Sequence, residues 1–155
     1  MKISEILDHR AIKLGMTAAT KEDALKELVD ILAKVEDIGD PKGIVKALIE
    51  RENLGSTGIG QGIAIPHGKT DKVTRLVAVL GVSKTGVNFD ALDGEPVYIF
   101  FLLVAPKATA GPHLKALAQI SRLLRDSYFC ELIRKCKTAD EVFTLIKSEE
   151  ERKRY

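Results

Sequence analysis

The sequence predicts an α/β layer structure, because two strongly apolar, strand-like segments are flanked by amphipathic helices. Residues 76–82 and 97–105 are apolar almost throughout, which is typical of strands buried on both faces. Apolar residues recur at helical spacing before and after these strands. With 155 residues, the chain has the length of one domain with a substantial core. The spacing leaves the order of the strands open.

The first elements of the chain are expected to be short. Residues 1–9 suggest a short helix or turn, and residues 11–14 a short strand. Thr20 has a side chain suited to cap a helix N-terminus. The helix that follows is expected to end near residues 34–37.

A second helix is predicted to begin at Asp40 and Pro41, as its cap and its first residue. This helix carries Arg51 and Glu52 in its last turn, and Gly55 is the expected C-terminal cap. Taken alone, Arg51 is better understood as a solvated cation favoured by the helix dipole.

Residues 55–70, GSTGIGQGIAIPHGKT, form the most informative stretch of the chain. Its glycines permit sharp turns and close approach to a ligand. The short apolar run 63–65 leads to Pro66, which has no backbone N–H and is expected to end a strand. His67 is therefore predicted to stand on a stiff, sterically open turn.

Simpler interpretations of this stretch are a plain loop and a structural histidine. It lacks the Gly-Lys-Ser/Thr ending of a Walker loop. It also lacks a dinucleotide fingerprint, because Gly58 and Gly60 precede a strand-like run and no helix. Spacing alone favours the structural interpretation of His67.

The segments around the second apolar strand are predicted from turn residues. Residues 84–86 are expected to turn the chain, and Phe89 and Leu92 to anchor the following loop. Pro106 ends the strand, and residues 107–111 form a small connector.

A helix is predicted to open at Pro112, with His113 in its first turn. His113 precedes Leu117, Ile120 and Leu124 on one helical stripe. The spacing fits a partly buried histidine hydrogen-bonded to backbone as well as an imidazole at an anion-binding helix end.

The C-terminal part is expected to be helical. Helical segments continue to residue 134, and Thr138 caps a last helix with Glu141 at the capping-box position. Residues 149–155 suggest a frayed, solvated tail.

The run Gly58–Gly68, GIGQGIAIPHG, resembles the phosphorylation-site signature of the mannitol/fructose-type enzyme IIA components of the bacterial phosphoenolpyruvate-dependent sugar phosphotransferase system. That signature also requires an acidic or amide residue upstream, where Glu52 stands. The resemblance covers nearly the whole chain, including Arg51 before the glycines and His113 after them.

The resemblance implies a single α/β domain over residues 1–155, with a mixed β-sheet flanked by helices on both faces. It implies that His67 accepts a phosphoryl group on Nε2, with Arg51 and His113 as supporting residues. Neutral imidazole suits this task, with a reference pKa of about 6.5, and Arg51 can bind phosphate oxygens bidentately. Hydroxyls of Ser56 or Thr57 and amides of the glycine loop are expected to complete the phosphate site.

The resemblance also implies the partners. HPr, or its nitrogen-branch relative, would donate the phosphoryl group, and a cysteine of an enzyme IIB on a separate chain would accept it. Docking of such partners is expected on an apolar rim that includes Ile59, Ile63 and the connector 107–111.

Three functions remain open at this point. The chain is a phosphocarrier for sugar uptake, or a nitrogen-branch regulatory protein whose phosphorylation state controls partner binding without sugar transport. A hydrolase or metalloenzyme using His67 and His113 is disfavoured, because no ligand carboxylate or thiolate motif accompanies them. We therefore expect neither a cofactor nor a metal.

Composition excludes several other classes of protein. The formal net charge of +2 is too small to indicate nucleic-acid binding. No apolar run is long enough to span a bilayer, and no secretory segment opens the chain. Cys130 and Cys136 lack the spacing of zinc or redox motifs, so both are expected to be reduced in a cytoplasmic protein.

Overall fold

In a computed structural model, which describes residues 2–152, the chain forms one mixed β-sheet with helices on both faces, as predicted. The strands are β1 (Leu7–Leu14), β2 (Gly58–Gly60), β3 (Ile63–Ala64), β4 (His67–Lys69), β5 (Val77–Val87) and β6 (Val97–Ala105). The helices are α1 (Ile3–Ile6), α2 (Lys21–Val35), α3 (Pro41–Glu52), α4 (Ala110–Leu124), α5 (Ser127–Lys135) and α6 (Ala139–Arg152).

The sheet has the order β1-β5-β6-β3-β2, and β4 also pairs with β6. Strands β5 and β6 are antiparallel, whereas β1 runs parallel to β5, and both β3 and β4 run parallel to β6. Strand β6 is therefore the centre of the sheet, and all of its residues except Tyr98 are buried. Its continuous apolar sequence reflects this burial on both faces.

Two groups of helices cover the sheet. Helices α2 and α3 pack together, with α2 against β1 and β5 and α3 against β4. Helices α4 and α5 pack against β6, and α6 packs against β1. None of the helices within residues 2–152 is long and apolar enough to traverse a membrane.

Three predicted helix caps are confirmed. The side chain of Thr20 accepts a hydrogen bond from the backbone of Asp23, and that of Asp40 from Gly43. The third cap is Thr138, whose hydroxyl accepts from the Glu141 amide at 3.2 Å. Each cap satisfies a donor that the first helical turn leaves without an internal partner.

The N-terminal elements differ from the prediction. The helix spans only Ile3–Ile6, and the strand already begins at Leu7 rather than at residue 11. Leu7 pairs with Ala78 of β5, so sheet pairing overrides the local helical spacing. Glu150 explains why the predicted frayed tail is wrong within the described residues: its carboxylate accepts hydrogen bonds from the amides of Ile3 and Ser4. Residues 153–155 of that predicted tail lie outside the described residues.

The predicted turn at residues 84–86 is wrong. These residues belong to β5, whose register with β6 shifts between Val82 and Val87. Gly86 has a φ of +88°, which lets the strand bulge and then rejoin the ladder. Phe89 is buried as expected, but Leu92 is 75% exposed and anchors nothing.

Two helix ends are shifted. Helix α4 opens at Ala110, before Pro112, so the predicted connector is shorter than expected. Helix α3 ends at Glu52 with Asn53 as its C-cap, so Gly55 is not the cap. Gly55 follows with a φ of +147°, and its amide donates to the Glu52 carbonyl.

Candidate functional site

The backbone around Pro66 brings His67 into the sheet. Strand β3 stops before Pro66 as predicted, but pairing resumes at once, with His67 opposite Leu103 of β6. The Leu103 amide donates to the Pro66 carbonyl at 2.9 Å. His67 is therefore half-buried in a short strand, and the predicted open turn is wrong. Proline is tolerated because only its carbonyl is needed by the ladder.

The His67 ring is oriented by one hydrogen bond. Its Nδ1 lies 2.8 Å from the carbonyl oxygen of Ile65, which can only accept. In the neutral ring Nδ1 therefore carries the proton, and Nε2 keeps the lone pair. Burial lowers the pKa of His67, and the charge of Arg51 adds to this, against the opposite effects of the Ile65 carbonyl and Glu52. The ring is thus neutral at neutral pH, as a nucleophile must be.

A second imidazole lies beside the first. His113, the fourth residue of α4, is only 4% exposed, and its ring centroid is 5.6 Å from that of His67 with the planes at 53°. Its Nε2 is buried and makes no hydrogen bond within the described part of the chain. Burial lowers the pKa of His113 to about 4, and the His67 and Lys69 charges act in the same direction. A buried nitrogen without a partner favours a site that binds something polar.

Arg51 lies in the last turn of α3 and acts electrostatically on His67. Its Nη1 donates to the Gly55 carbonyl at 2.8 Å, which ties the helix end to the glycine loop. The same charge lowers the pKa of His67, so the guanidinium acts within range of that ring. Arg51 therefore ties the end of α3 to the glycine loop, and its role in binding phosphate stays a prediction.

Glu52 holds the start of the glycine loop. Glu52 is buried, and its carboxylate accepts from the Thr57 amide at 3.1 Å and from the Thr57 hydroxyl. Lys21 pairs with it at 3.3 Å, and the Lys21 ammonium also lies 5.1 Å from the centroid of the Phe89 ring. Thr57 is buried and its hydroxyl is committed to Glu52, so its expected role in binding phosphate is wrong.

The glycines shape a hairpin, not an open cradle. A Cβ on Gly58 would lie 2.8 Å from the Cβ of Ala91, so only glycine allows this close approach. Gln61, at the tip between β2 and β3, has a φ of +58° and donates its amide to Asp93 at 3.0 Å. The Gly58 amide donates to Ser56 Oγ. These amides are already satisfied within the protein, which argues against a role for them in holding phosphate.

Lys69 is a candidate site residue that the sequence reasoning missed. It lies two residues after His67 in β4, so both side chains project from the same face of the strand. Its charge contributes to the low pKa of His113, which puts the ammonium within electrostatic range of the pair. The alternation along a strand would have revealed it, had the strand not been expected to end at Pro66.

Metal-ligating residues do not cluster at the site. Within residues 2–152 no three His, Cys, Asp or Glu side chains come together as a metal site would require. The arrangement of two neutral imidazoles with flanking cations instead suits a tetrahedral anion carried on a ring nitrogen.

Sequence comparisons match the chain to known proteins along almost its whole length. The profile of the family described as "Phosphoenolpyruvate-dependent sugar phosphotransferase system, EIIA 2" matches residues 5–149. The fructose-specific EIIABC component of Bacillus subtilis is 36% identical over 94% of this chain, which spans only 23% of that longer protein. A nitrogen regulatory protein of Bradyrhizobium diazoefficiens is 34% identical over 94% of this chain and 95% of its own length.

Solved structures show the same fold. The nitrogen regulatory protein IIA-Ntr of Neisseria meningitidis has a TM-score of 0.86 at 32% identity, covering 93% of this chain and 98% of that one. The mannitol IIA of Escherichia coli, solved in complex with phosphorylated IIB, has a TM-score of 0.76 at 27% identity over 90% and 95% of the two chains. The similarity therefore extends to proteins named for sugar transport and to proteins named for nitrogen regulation.

Proposed function

Because the chain belongs to the EIIA 2 family of the phosphoenolpyruvate-dependent sugar phosphotransferase system, we propose that it is a phosphocarrier acting through a phosphohistidine at His67. HPr or its nitrogen-branch relative donates the phosphoryl group, and a cysteine of a separate enzyme IIB accepts it for sugar uptake. The proposal treats residues 1–155 as one IIA domain working in the cytoplasm.

The observation that carries the proposal is the orientation of His67. Its Nδ1 is held by the Ile65 carbonyl at 2.8 Å, which fixes the tautomer with a free lone pair on Nε2. Its lowered pKa keeps the ring unprotonated. A nucleophile already in its reactive form and orientation needs no general base for the attack on phosphorus.

The transfer balances with the residues present. Nε2 of His67 forms a P–N bond while the P–N bond of the donor phosphohistidine breaks, and the donor leaves as a neutral imidazole. In the second step a IIB thiolate forms a P–S bond while the P–N bond of His67 breaks, and His67 leaves as its neutral tautomer. Neither step requires another reactant, so the protein contributes position and charge stabilisation.

The neighbours of His67 have distinct supporting roles in this proposal. The phosphoryl group brings negative charge to the site when it is bound to His67, and Arg51 and Lys69 supply positive charge that stabilises its oxygens. His113 offers a ring nitrogen with no partner of its own at a ring distance of 5.6 Å. Glu52 is a positioning residue, because it holds Thr57 at the entry to the loop.

Partner choice follows from the relatives. The mannitol IIA was solved in complex with phosphorylated IIB, and that description applies to the Escherichia coli protein. We propose the same class of acceptor for this chain.

A second candidate function is regulation. Its support is the similarity to nitrogen regulatory proteins, which this chain matches over 95% of the length of one of them. In that case phosphorylation of His67 would change partner binding without sugar uptake.

The test is reconstitution. The protein is incubated with phosphoenolpyruvate, enzyme I and HPr, and an acid-labile adduct on His67 is sought by mass spectrometry. If the chain serves transport, adding the sugar and membranes that contain IIB and IIC removes the phosphoryl group from His67. An adduct that forms but is untouched by every sugar favours regulation. No adduct, either from HPr or from its nitrogen-branch relative with the matching enzyme I, refutes both functions.

A further inference from the structure

A basic pocket lies between strand β5 and helix α5, away from His67. It is an open pocket with a volume of about 330 Å³, and it is lined by Val82, Ser83, Lys84, Glu131, Arg134 and Lys135. That volume is at the lower end of the roughly 300–1,000 Å³ usual for small-molecule sites. Val82 pairs with Ile99 of β6, and His67 pairs with Leu103 of the same strand. These two partners are four residues apart, so the pocket is about 13 Å from His67 along β6.

The charge of this pocket is not neutralised by the protein. Three cations, Lys84, Arg134 and Lys135, face a single carboxylate, Glu131. None of the four belongs to an ion pair in the part of the chain that the structure describes. An uncompensated group of cations in a concave site concentrates the field and attracts anions.

Arg134 is already held in place. The guanidinium carbon lies 4.0 Å from the centroid of the Tyr98 ring, which is a cation–π contact. The N–H groups of a guanidinium are those that bind phosphate oxygens bidentately. Arg134 covers one face of the Tyr98 ring, so that face is not free to stack on a nucleobase, which favours a small phosphate ester over a nucleotide.

The bulge in β5 forms the other wall. Ser83 is fully buried, and its hydroxyl accepts from the Gly86 amide at 3.0 Å. A Cβ on Gly86 would lie 2.9 Å from Pro96 and 3.0 Å from the Tyr98 ring, so the bulge is packed tightly onto the same tyrosine. Bulges re-aim side chains and are common near functional sites. Here the bulge carries Lys84 at the pocket edge.

We propose that this pocket binds a small phosphorylated anion of the size of a hexose phosphate, through Lys84, Arg134 and Lys135. The site is separate from His67 and does not depend on the proposed phosphoryl transfer. A simpler explanation of Arg134 and Lys135 is that cations in the last turn of α5 interact favourably with the helix dipole. That explanation does not account for Lys84 on the facing strand or for the contact of Arg134 with Tyr98.

The test is an NMR titration of backbone amides with glucose 6-phosphate, with glucose as the uncharged control. We expect saturable shifts at residues 82–86 and 131–135 with the phosphate ester only. We expect Arg134→Gln to weaken binding about tenfold or more, because it removes one charge-assisted contact with the phosphate. Lys46→Gln, an exposed lysine on α3, leaves the affinity unchanged.

Several results would overturn the site. These are equal shifts with glucose, shifts that spread without saturation over all basic surfaces, and an unchanged affinity of Arg134→Gln. If Arg134→Gln does not fold, Lys84→Gln on the exposed bulge replaces it, with the same expected loss. Binding that survives in His67→Ala supports the pocket even if the phosphocarrier function is refuted, whereas shifts confined to the surroundings of His67 refute the pocket alone.

Discussion

A single peptide carbonyl decides which nitrogen of His67 is available for chemistry. The Ile65 oxygen lies two residues before the histidine, and Pro66 between them has a fixed φ, so the ring and the carbonyl are held by a very short, stiff segment. Burial beside this carbonyl then keeps the ring neutral. The orientation and the tautomer of the His67 ring thus depend on the Ile65-Pro66-His67 sequence itself.

Replacing His67 should remove the phosphoryl acceptor. We expect His67→Ala to abolish adduct formation from phospho-HPr while circular dichroism and thermal unfolding stay near the wild type, because the ring is only half-buried. His9→Ala is the matched control, since His9 is exposed on β1, and it should accept phosphate normally. Stoichiometric phosphorylation of His67→Ala would refute the assignment.

The supporting side chains should affect rate more than yield. We expect Arg51→Ala and His113→Ala each to slow single-turnover transfer by about 10²–10³-fold, as the loss of one preorganised donor does. Lys69→Ala should also slow transfer, and exposed Lys72→Ala should not. Quench-flow with phospho-HPr measures the rates. Wild-type rates in the Arg51 and His113 variants would return both residues to purely structural roles.

His113 should also make the fold sensitive to acid. Its pKa falls from 6.5 to about 4 on folding, chiefly through burial. As the pH drops below 6.5 the unfolded chain binds this proton first, so the free energy of unfolding decreases between these two values and is fully retained above 6.5. Urea unfolding across this window should show a shallower decrease for His113→Gln than for wild type or His9→Gln. Parallel curves for all three proteins would contradict the argument.

At the scale of elements, the β2–β3 hairpin explains most of the glycines that looked like a ligand loop. Gly58 approaches Ala91, and the Leu92 amide donates to the Gly58 carbonyl at 3.0 Å. Asp93 in turn receives the Gln61 amide. The hairpin therefore packs against residues 91–93. Its second strand, β3, pairs with β6, and the chain continues from there to His67, which pairs with β6 as well.

A methyl group at Gly58 should loosen this hairpin. We expect Gly58→Ala to lower the free energy of unfolding by about 1–3 kcal/mol, since the new Cβ meets backbone and side-chain atoms of Ala91 that cannot easily move. Gly111→Ala is the control: nothing lies within 4 Å of its Cβ, and it is in α4, so stability should stay the same or rise slightly. Denaturant unfolding compares the two variants, and equal stabilities would show that the contact with Ala91 is unimportant.

The elements that could be predicted from sequence are those whose signals are local. The apolar runs of β5 and β6, the caps Thr20, Asp40 and Thr138, and the motif around His67 all lie within a few neighbouring residues. Strand β4 could not be predicted, because its existence depends on pairing with Leu103, far along the chain. The contact of Glu150 with the α1 amides spans almost the whole sequence and leaves no local trace. The burial of Thr57 could not be predicted from sequence either, because it depends on the position of Glu52 at the end of α3.

At the scale of the whole molecule, exposed apolar side chains are concentrated near the elements that carry the site. Leu54 follows Arg51 and is 84% exposed, while Leu92 lies beside Gly58 and is 75% exposed. Leu114 follows His113 and is 66% exposed. Ile59 is 48% exposed, as the expected docking rim requires, but Ile63 is buried, so its predicted place on that rim is wrong. Exposed apolar side chains near a site suit transient partner contacts.

Docking of the phosphoryl donor should therefore depend on these exposed side chains. We expect Leu114→Glu to weaken binding of unphosphorylated HPr by about tenfold or more, the scale of one well-placed interface side chain. The fold and the intrinsic reactivity of His67 should be retained, because the Leu114 side chain points into solvent. Tyr128→Glu is the matched control, since Tyr128 is equally exposed, at 68%, but stands at the start of α5. NMR titration gives the affinities, and a small-molecule phosphoryl donor such as acetyl phosphate tests His67 without docking. A loss with Tyr128→Glu as large as with Leu114→Glu would place the contact surface elsewhere.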